Sequence, residues 1–356
     1  AKNTTPHSTH AHAMVLLMTE ATISAVFNVC LIMFGLAGWA TVAVFILIFF
    51  VGGLRQTEGE QTAAKGVQHG VTPQQRPPKH LVFSDIDGTI VHYGQGKKQA
   101  KSVAEGILKL PASKSGMQGV ISQKTLSLAR SIQEGGVPYV LVSAVRYSTF
   151  YSRLPFLPKA NAYIIENGGR IFWNPNAPDS HENLQEDIEW AAIFAEIVPI
   201  VEKCRNRLQS EGWFVDCDSY RTMFRVNLKK TPNKKQSDLL QILKDPQYSG
   251  LDFAENLGLV DVFPAKSGKK NAAKHIVDKL GLSFQDCAMI CDDDNDIPLA
   301  EAMGQGAFIT QITSASLGWA IEARPAQYTV ATAPSGPPAT EELLELMRNK
   351  LCPFTW

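Results

Sequence analysis

Apolar residues in this chain fall into one long run near the start and several short runs after it. Residues 21–54 hold 34 consecutive positions without a formal charge. That exceeds the roughly 20 residues needed to cross about 30 Å of hydrocarbon, and it is too short for two crossings with a turn. The run predicts one tilted or overlong transmembrane helix. A cleaved secretory signal has an apolar core of only about 7 to 15 residues, so a retained anchor fits better. Lys2 and Glu20 lie on the amino side, against Arg55, Lys65, Arg76 and Lys79 on the other. The positive-inside rule then places the carboxyl-terminal region in the cytosol, or in the stroma or matrix for an organelle membrane. Residues 1–20 read as a polar tail, with His7, His10 and His12 solvated. Residues 55–79 hold Pro73, Pro77 and Pro78 without periodicity and read as a semi-extended linker. The opening residue Ala1 fits both removal of an upstream targeting peptide and a trimmed sequence.

After residue 80 short apolar runs alternate with helical patterns. A buried strand over 81–84 leads into Asp85-Ile86-Asp87-Gly88-Thr89. A helix over 122–134, stopped by Gly135-Gly136, precedes a buried strand over 137–142 that ends at Ser143. Residues 260–264 precede a helix with Ala272, Ile276, Val277 and Leu280 on one face, and a strand over 287–290 runs into Cys291-Asp292-Asp293-Asp294-Asn295-Asp296. Strands ending at Asp85, Ser143 and Cys291 with helices between them predict an α/β fold, a doubly wound parallel sheet whose ligands bind beyond the strands' carboxyl ends. Between them the pattern changes to a helix over 186–209, strands over 213–217 and 222–228, a helix over 235–244, and strands over 251–254 and 258–262. This is an α+β insertion. The resulting division is a first core segment at 80–171, a cap at 172–259 and a second core segment at 260–356.

Composition narrows the function. At 45% hydrophobic and 19% charged, the chain is too apolar for disorder. Lys plus Arg equals Asp plus Glu at 34 each, so no global field favours nucleic acid. The six cysteines, Cys30, Cys204, Cys217, Cys287, Cys291 and Cys352, contain no C-x-x-C pair and read as reduced thiols.

The chemistry gathers at four places. Asp85 and Asp87 sit where a buried strand meets its loop. Ser143 offers a hydroxyl at a second strand end. Lys269 and Lys270 begin a helix, where cations oppose the helix dipole unless an anion is near. The four carboxylates Asp292, Asp293, Asp294 and Asp296 repel one another unless a hard cation is bound. Phosphoryl transfer from a monoester needs this set: a nucleophile, a proton donor for the leaving oxygen, and cations to offset phosphate charge.

These elements, in this order, resemble the haloacid dehalogenase superfamily of phosphatases, over about residue 81 to the end. The segment Glu166-Asn167-Gly168-Gly169 is similar to the stretch leading into the cap of its sugar phosphatases. The spacing looks like the subgroup with a large cap between motifs two and three, which includes sucrose-phosphate, mannosyl-3-phosphoglycerate and Cof-type phosphatases and eukaryotic phosphomannomutase. The resemblance implies Asp85 as nucleophile, Asp87 as general acid and base, and Lys269 as the motif-three lysine, with Lys270 its alternative. It implies Ser143, Asn295, Gly88 and Thr89 as phosphate-binding groups, and Asp85, Asp87, Asp292 and Asp296 around Mg²⁺. Three positions depart from the pattern: Ala144 and Lys270 stand where glycines are usual, and C-D-D-D-N-D replaces G-D-S-x-N-D. Arg221, Arg225 and Lys229 are candidate cap contributions. The implied protein is a membrane-anchored, Mg²⁺-dependent phosphatase of a small phosphorylated metabolite, with a sugar phosphate the favoured class. Its alternatives are a phosphomutase and a subunit of a membrane assembly, for which Gly35, Gly38, Ala40 and Ala43 would supply close-packing faces.

Overall fold

The computed structural model describes residues 78–94, 106–114, 116–256 and 259–352. The predicted transmembrane run 21–54, the tail and nearly all of the linker lie outside them. Among the described residues no helix is long and apolar enough to cross a membrane.

Fifteen strands are described. They are β1 Leu81–Asp85, β2 His92–Tyr93, β3 Ile107–Lys109, β4 Gly119–Ser122, β5 Tyr139–Val142, β6 Ala162–Ile165, β7 Arg170–Trp173, β8 Gln185–Glu186, β9 Val215–Asp216, β10 Phe224–Asn227, β11 Leu251–Asn256, β12 Leu259–Pro264, β13 Cys287–Cys291, β14 Ala307–Ile309 and β15 Tyr328–Val330. Eight form one sheet in the order β15-β14-β13-β1-β5-β6-β7-β8. From β15 to β6 every pair is parallel, and β7 and β8 add antiparallel at one edge. The predicted doubly wound sheet is present.

The central strands read as unbroken apolar runs because both faces of the sheet are covered. Val82, Leu141, Tyr163 and Ile290 point into one core, which includes Leu128 and Ile132 of helix Gln123–Glu134 and Leu343 and Met347 of helix Pro337–Leu351. Leu81, Phe83, Val140, Ile164 and Met289 point the other way, onto Ala273, Ile276 and Val277 of helix Lys269–Lys279. Each fully buried side chain of this size contributes about 1.5–3 kcal/mol. Ser122 caps its helix by accepting from the Thr125 amide at 2.9 Å.

The cap sheet is antiparallel, in the order β11-β12-β10-β9. Phe224, Val226, Val260 and Val262 pack on Val201, Cys204 and Leu208 of helix Val198–Ser210 and on Leu239 of helix Gln236–Leu243. Three details differ from the sequence reading. The helix expected over 186–209 is two helices, Ile188–Ala192 and Val198–Ser210, and the second begins with a proline in its first turn, where a missing N–H costs nothing. Strands β7 and β8 extend the core sheet, so residue 172 lies before the cap. Strand β12 pairs with β10 and β11, so the core resumes after Pro264 rather than at 260. A small sheet, β2-β4-β3, follows β1 and had no counterpart in the predicted elements.

Candidate active site

Parallel pairing brings three loops to one edge. In register, Asp85 of β1 lies beside Val142 of β5, and Ser84 beside Ile290 of β13. Asp85, Ser143 and Asp292 therefore emerge together at the carboxyl end of the sheet.

Lys269 sits at the centre. Its Nζ donates to Asp85 Oδ1 at 2.7 Å, Asp296 Oδ1 at 2.7 Å and Asn295 Oδ1 at 3.0 Å. All three ammonium donors are thereby used. Lys269 is buried among these groups, and Lys270 is exposed. Burial opposes its charged form, but Asp296 and Asp85 outweigh that and hold the amine well above the usual lysine range. Burial pushes the Asp85 carboxyl well above its ordinary value, against the pull of Lys269. It likewise pushes Asp292 up to about 7 and Asp296 up to about 6.

Asp85, Asp292 and Asp296 each offer an oxygen within 4.8 Å of the others. Asp296 Oδ2 is buried without a hydrogen-bond partner. One ammonium against three carboxylates leaves negative charge uncompensated, and hard oxygen donors suit a hard divalent cation such as Mg²⁺. The residues fit the ion.

The Asp87 carboxylate is not one of the three that converge here. It is drawn instead to Tyr93, whose hydroxyl donates to Oδ1, to Arg153 Nη1 at 3.1 Å and to Ser143 Oγ at 3.4 Å. The Thr89 hydroxyl is not open to a phosphate, because it is fully buried and donates to Asp292 Oδ1 at 2.8 Å. It holds one of the three converging carboxylates in place. Gly88 has φ +89°, and a Cβ there would lie 2.0 Å from Asp292 Oδ2, so glycine is required by space as well as by conformation. Ser143 Oγ also accepts from the Val145 amide at 3.0 Å. Asn295 is brought in through Lys269. In the acidic loop only Asp292 and Asp296 face Asp85, while Asp294 accepts from Ser314 and Asp293 caps its own turn.

Among the cap candidates, Arg221 pairs with Glu186, Arg225 pairs with Asp261 through two nitrogens, and Lys229 is exposed. The cap reaches the core through Arg146, which donates to Asp216 at 3.0 Å and to the Asp218 carbonyl at 3.1 Å.

The turn 166–169 has a defined task. Glu166, buried, accepts through Oε2 from the amides of Arg221 at 2.9 Å and Thr222 at 2.8 Å and from the Thr222 hydroxyl at 2.8 Å. A Cβ on Gly168 would meet the Gly268 carbonyl oxygen at 2.3 Å, and one on Gly169 would meet Thr222 Oγ1 at 1.8 Å. The turn thus seats both a cap loop and the peptide before Lys269. Sequence reasoning missed Tyr93, Arg153 and this role of Glu166. An arginine ten residues past Ser143 carries no spacing signal.

Residues 163–339 match the family described as sucrose-6F-phosphate phosphohydrolase. No curated protein sequence matches the chain. Among solved structures, the sucrose-phosphatase of Synechocystis sp., solved with sucrose and phosphate, is 17% identical, with a TM-score of 0.54 over 77% of this chain and 98% of its own. A subclass IIB sugar phosphatase of the haloacid dehalogenase superfamily is 13% identical, with a TM-score of 0.50 over 76% of this chain and 98% of its own. At these identities the structural likeness is one of fold.

Proposed function

We propose that the chain is a phosphoric monoester hydrolase of the haloacid dehalogenase superfamily of phosphatases, a Mg²⁺-dependent enzyme that hydrolyses the phosphate ester of a small sugar. The observation that carries this reading is the buried cluster Asp85, Asp292 and Asp296 around Lys269, with Asp87 beside it under an α+β cap. The match of residues 163–339 supports the sugar.

In this reading Asp85 attacks phosphorus, a bond forms from its carboxylate oxygen, and the ester P–O bond breaks. Asp87 gives its proton to the departing sugar oxygen. Asp87 then takes a proton from the water that attacks the phosphorus of the aspartyl-phosphate, releasing inorganic phosphate and restoring Asp85. Lys269 offsets the charge of nucleophile and phosphate. Asp85, Asp292 and Asp296 would hold Mg²⁺, which supplies further charge compensation to the phosphoryl oxygens. In this reading Ser143, just past the end of β5, would donate to a phosphoryl oxygen. The cap excludes water and reads the sugar.

Release of phosphate from a panel of sugar phosphates, with Mg²⁺ and with EDTA, tests the reading. Wild type should turn over at least one sugar phosphate only with Mg²⁺, and Asp85→Asn should keep less than about a tenth of that rate, since losing a nucleophile costs several kcal/mol of barrier. Activity of Asp85→Asn near the wild-type rate would remove Asp85 from its role. We further propose that residues 21–54 tether the domain to a membrane, facing the cytosol, stroma or matrix, on the strength of their 34 uncharged positions. Full-length protein should then resist carbonate extraction, while a fragment from Lys79 stays soluble and equally active. Extraction of the full chain by carbonate would end the tether.

A further inference from the structure

Arg153 closes the helix Tyr147–Arg153 and is 2% exposed. Burying a guanidinium costs several kcal/mol unless its charge is paired and its donors are met. Here Nε donates to the Pro111 carbonyl at 3.2 Å and Nη2 to the Met117 carbonyl at 3.1 Å. Nη1 donates to Asp87 Oδ1 at 3.1 Å and to the Tyr93 hydroxyl at 2.8 Å. Among the described residues Asp87 is its one carboxylate partner. Tyr93 in turn donates to the same oxygen, Oδ1. Burial, together with the Asp87 carboxylate, keeps the phenol protonated, so it always has a hydrogen to give. One oxygen of Asp87 is therefore anchored twice, and the other, Oδ2, is presented beside Ser143 Oγ at 3.4 Å.

We propose that Arg153 and Tyr93 are positioning residues that fix the Asp87 carboxyl with one oxygen turned to the leaving group, so that proton delivery needs no rotamer search. The inference rests on the reading of Asp87 as the general acid. Two carbonyls between β3 and β4 hold the guanidinium, and the guanidinium holds the acid. That gives the small sheet β2-β4-β3 a task in the reaction: it is the mount for this clamp. A carboxylate on a loop just past a strand end would otherwise sample several rotamers, and general-acid catalysis, about 10² to 10⁴ in rate, depends on hydrogen-bond reach to the oxygen that leaves.

The test compares two substrates through kcat/KM, which covers the steps up to loss of the leaving group and so omits the later hydrolysis. A sugar phosphate leaves as an alkoxide and needs the acid; p-nitrophenyl phosphate leaves as a stable anion and does not. Arg153→Gln and Tyr93→Phe should lower kcat/KM for the sugar phosphate by more than about tenfold and for p-nitrophenyl phosphate by less than about threefold, with Arg153→Lys recovering some of the loss. A role confined to stability would lower both substrates alike. Asp87→Asn is the control. Discrimination by Asp87→Asn without discrimination by Arg153→Gln and Tyr93→Phe overturns the inference alone. Equal loss on both substrates in Asp87→Asn, or no phosphatase activity in wild type, overturns the reading of Asp87 together with it. Should Arg153→Gln fail to fold, Tyr93→Phe and Arg153→Lys decide by the same ratio.

Discussion

Three buried carboxyls, Asp85, Asp292 and Asp296, converge where one ammonium, that of Lys269, bonds only the first and the last, and this shortage of positive charge is measurable through stability. The folded protein holds the Asp292 carboxyl at about 7. Between the ordinary aspartate value and about 7 the folded state keeps a proton that the unfolded chain has released, so stability falls as pH rises through that window. Asp296, pushed up to about 6, adds to the same slope. Lys269 does not offset it. Its raised value means that its contribution is complete below the ordinary lysine pKa and is lost only at higher pH. In EDTA, therefore, Tm should fall between about pH 5 and about pH 7.5, with a free-energy change on the order of a few kcal/mol. Saturating Mg²⁺ should reduce that fall, because it binds the ionised carboxylates of the folded state. Calorimetry in EDTA showing a flat Tm across the window would mean that the carboxyls are compensated in another way.

At the level of elements, the turn 166–169 links β6 to β7 and carries more than the chain reversal. Glu166 satisfies two amides and one hydroxyl of the cap loop at Arg221 and Thr222. Glu166→Ala would strand those donors, at about 1–3 kcal/mol for each one left buried. Hydrogen exchange should report this as loss of protection at the amides of Arg221 and Thr222, with β1 and β5 unchanged. Protection retained at those amides would show that the loop is held by other contacts. Legibility divides along the same line. β1, β5 and β13 were readable because strands buried on both faces have no polar alternation to confuse them. The cap limits were not. β7 and β8 belong to the core sheet by pairing alone, and the alternating apolar residues of β12 do not say which sheet they cover.

For the molecule as a whole, the residues that converge at the candidate site were visible in the chain as motifs, while the partners that hold them were not. Thr89 and Asp292 are 203 positions apart and Lys269 and Asp85 are 184 apart, so only the parallel crossovers bring them together. The two groups of residues also answer to different demands. Asp85 and Asp292 are costly to keep buried in the absence of a cation, whereas Glu166, Gly168 and Gly169 fill a space that admits little else. A substitution library sorted only for soluble expression, through a fluorescent reporter fused to the chain and with no selection for turnover, should therefore split the motifs. Variants at 166, 168 and 169 should be depleted, since each added Cβ or lost carboxylate disturbs a neighbouring loop. Asp85→Asn and Asp292→Asn should survive at wild-type frequency or above it, because removing a buried charge relieves the fold. Uniform depletion at all of these positions would indicate that the buried carboxylates also hold the structure up. The predicted split means that the turn would persist in a descendant that had lost its enzymatic role, and the aspartates would be the first to drift.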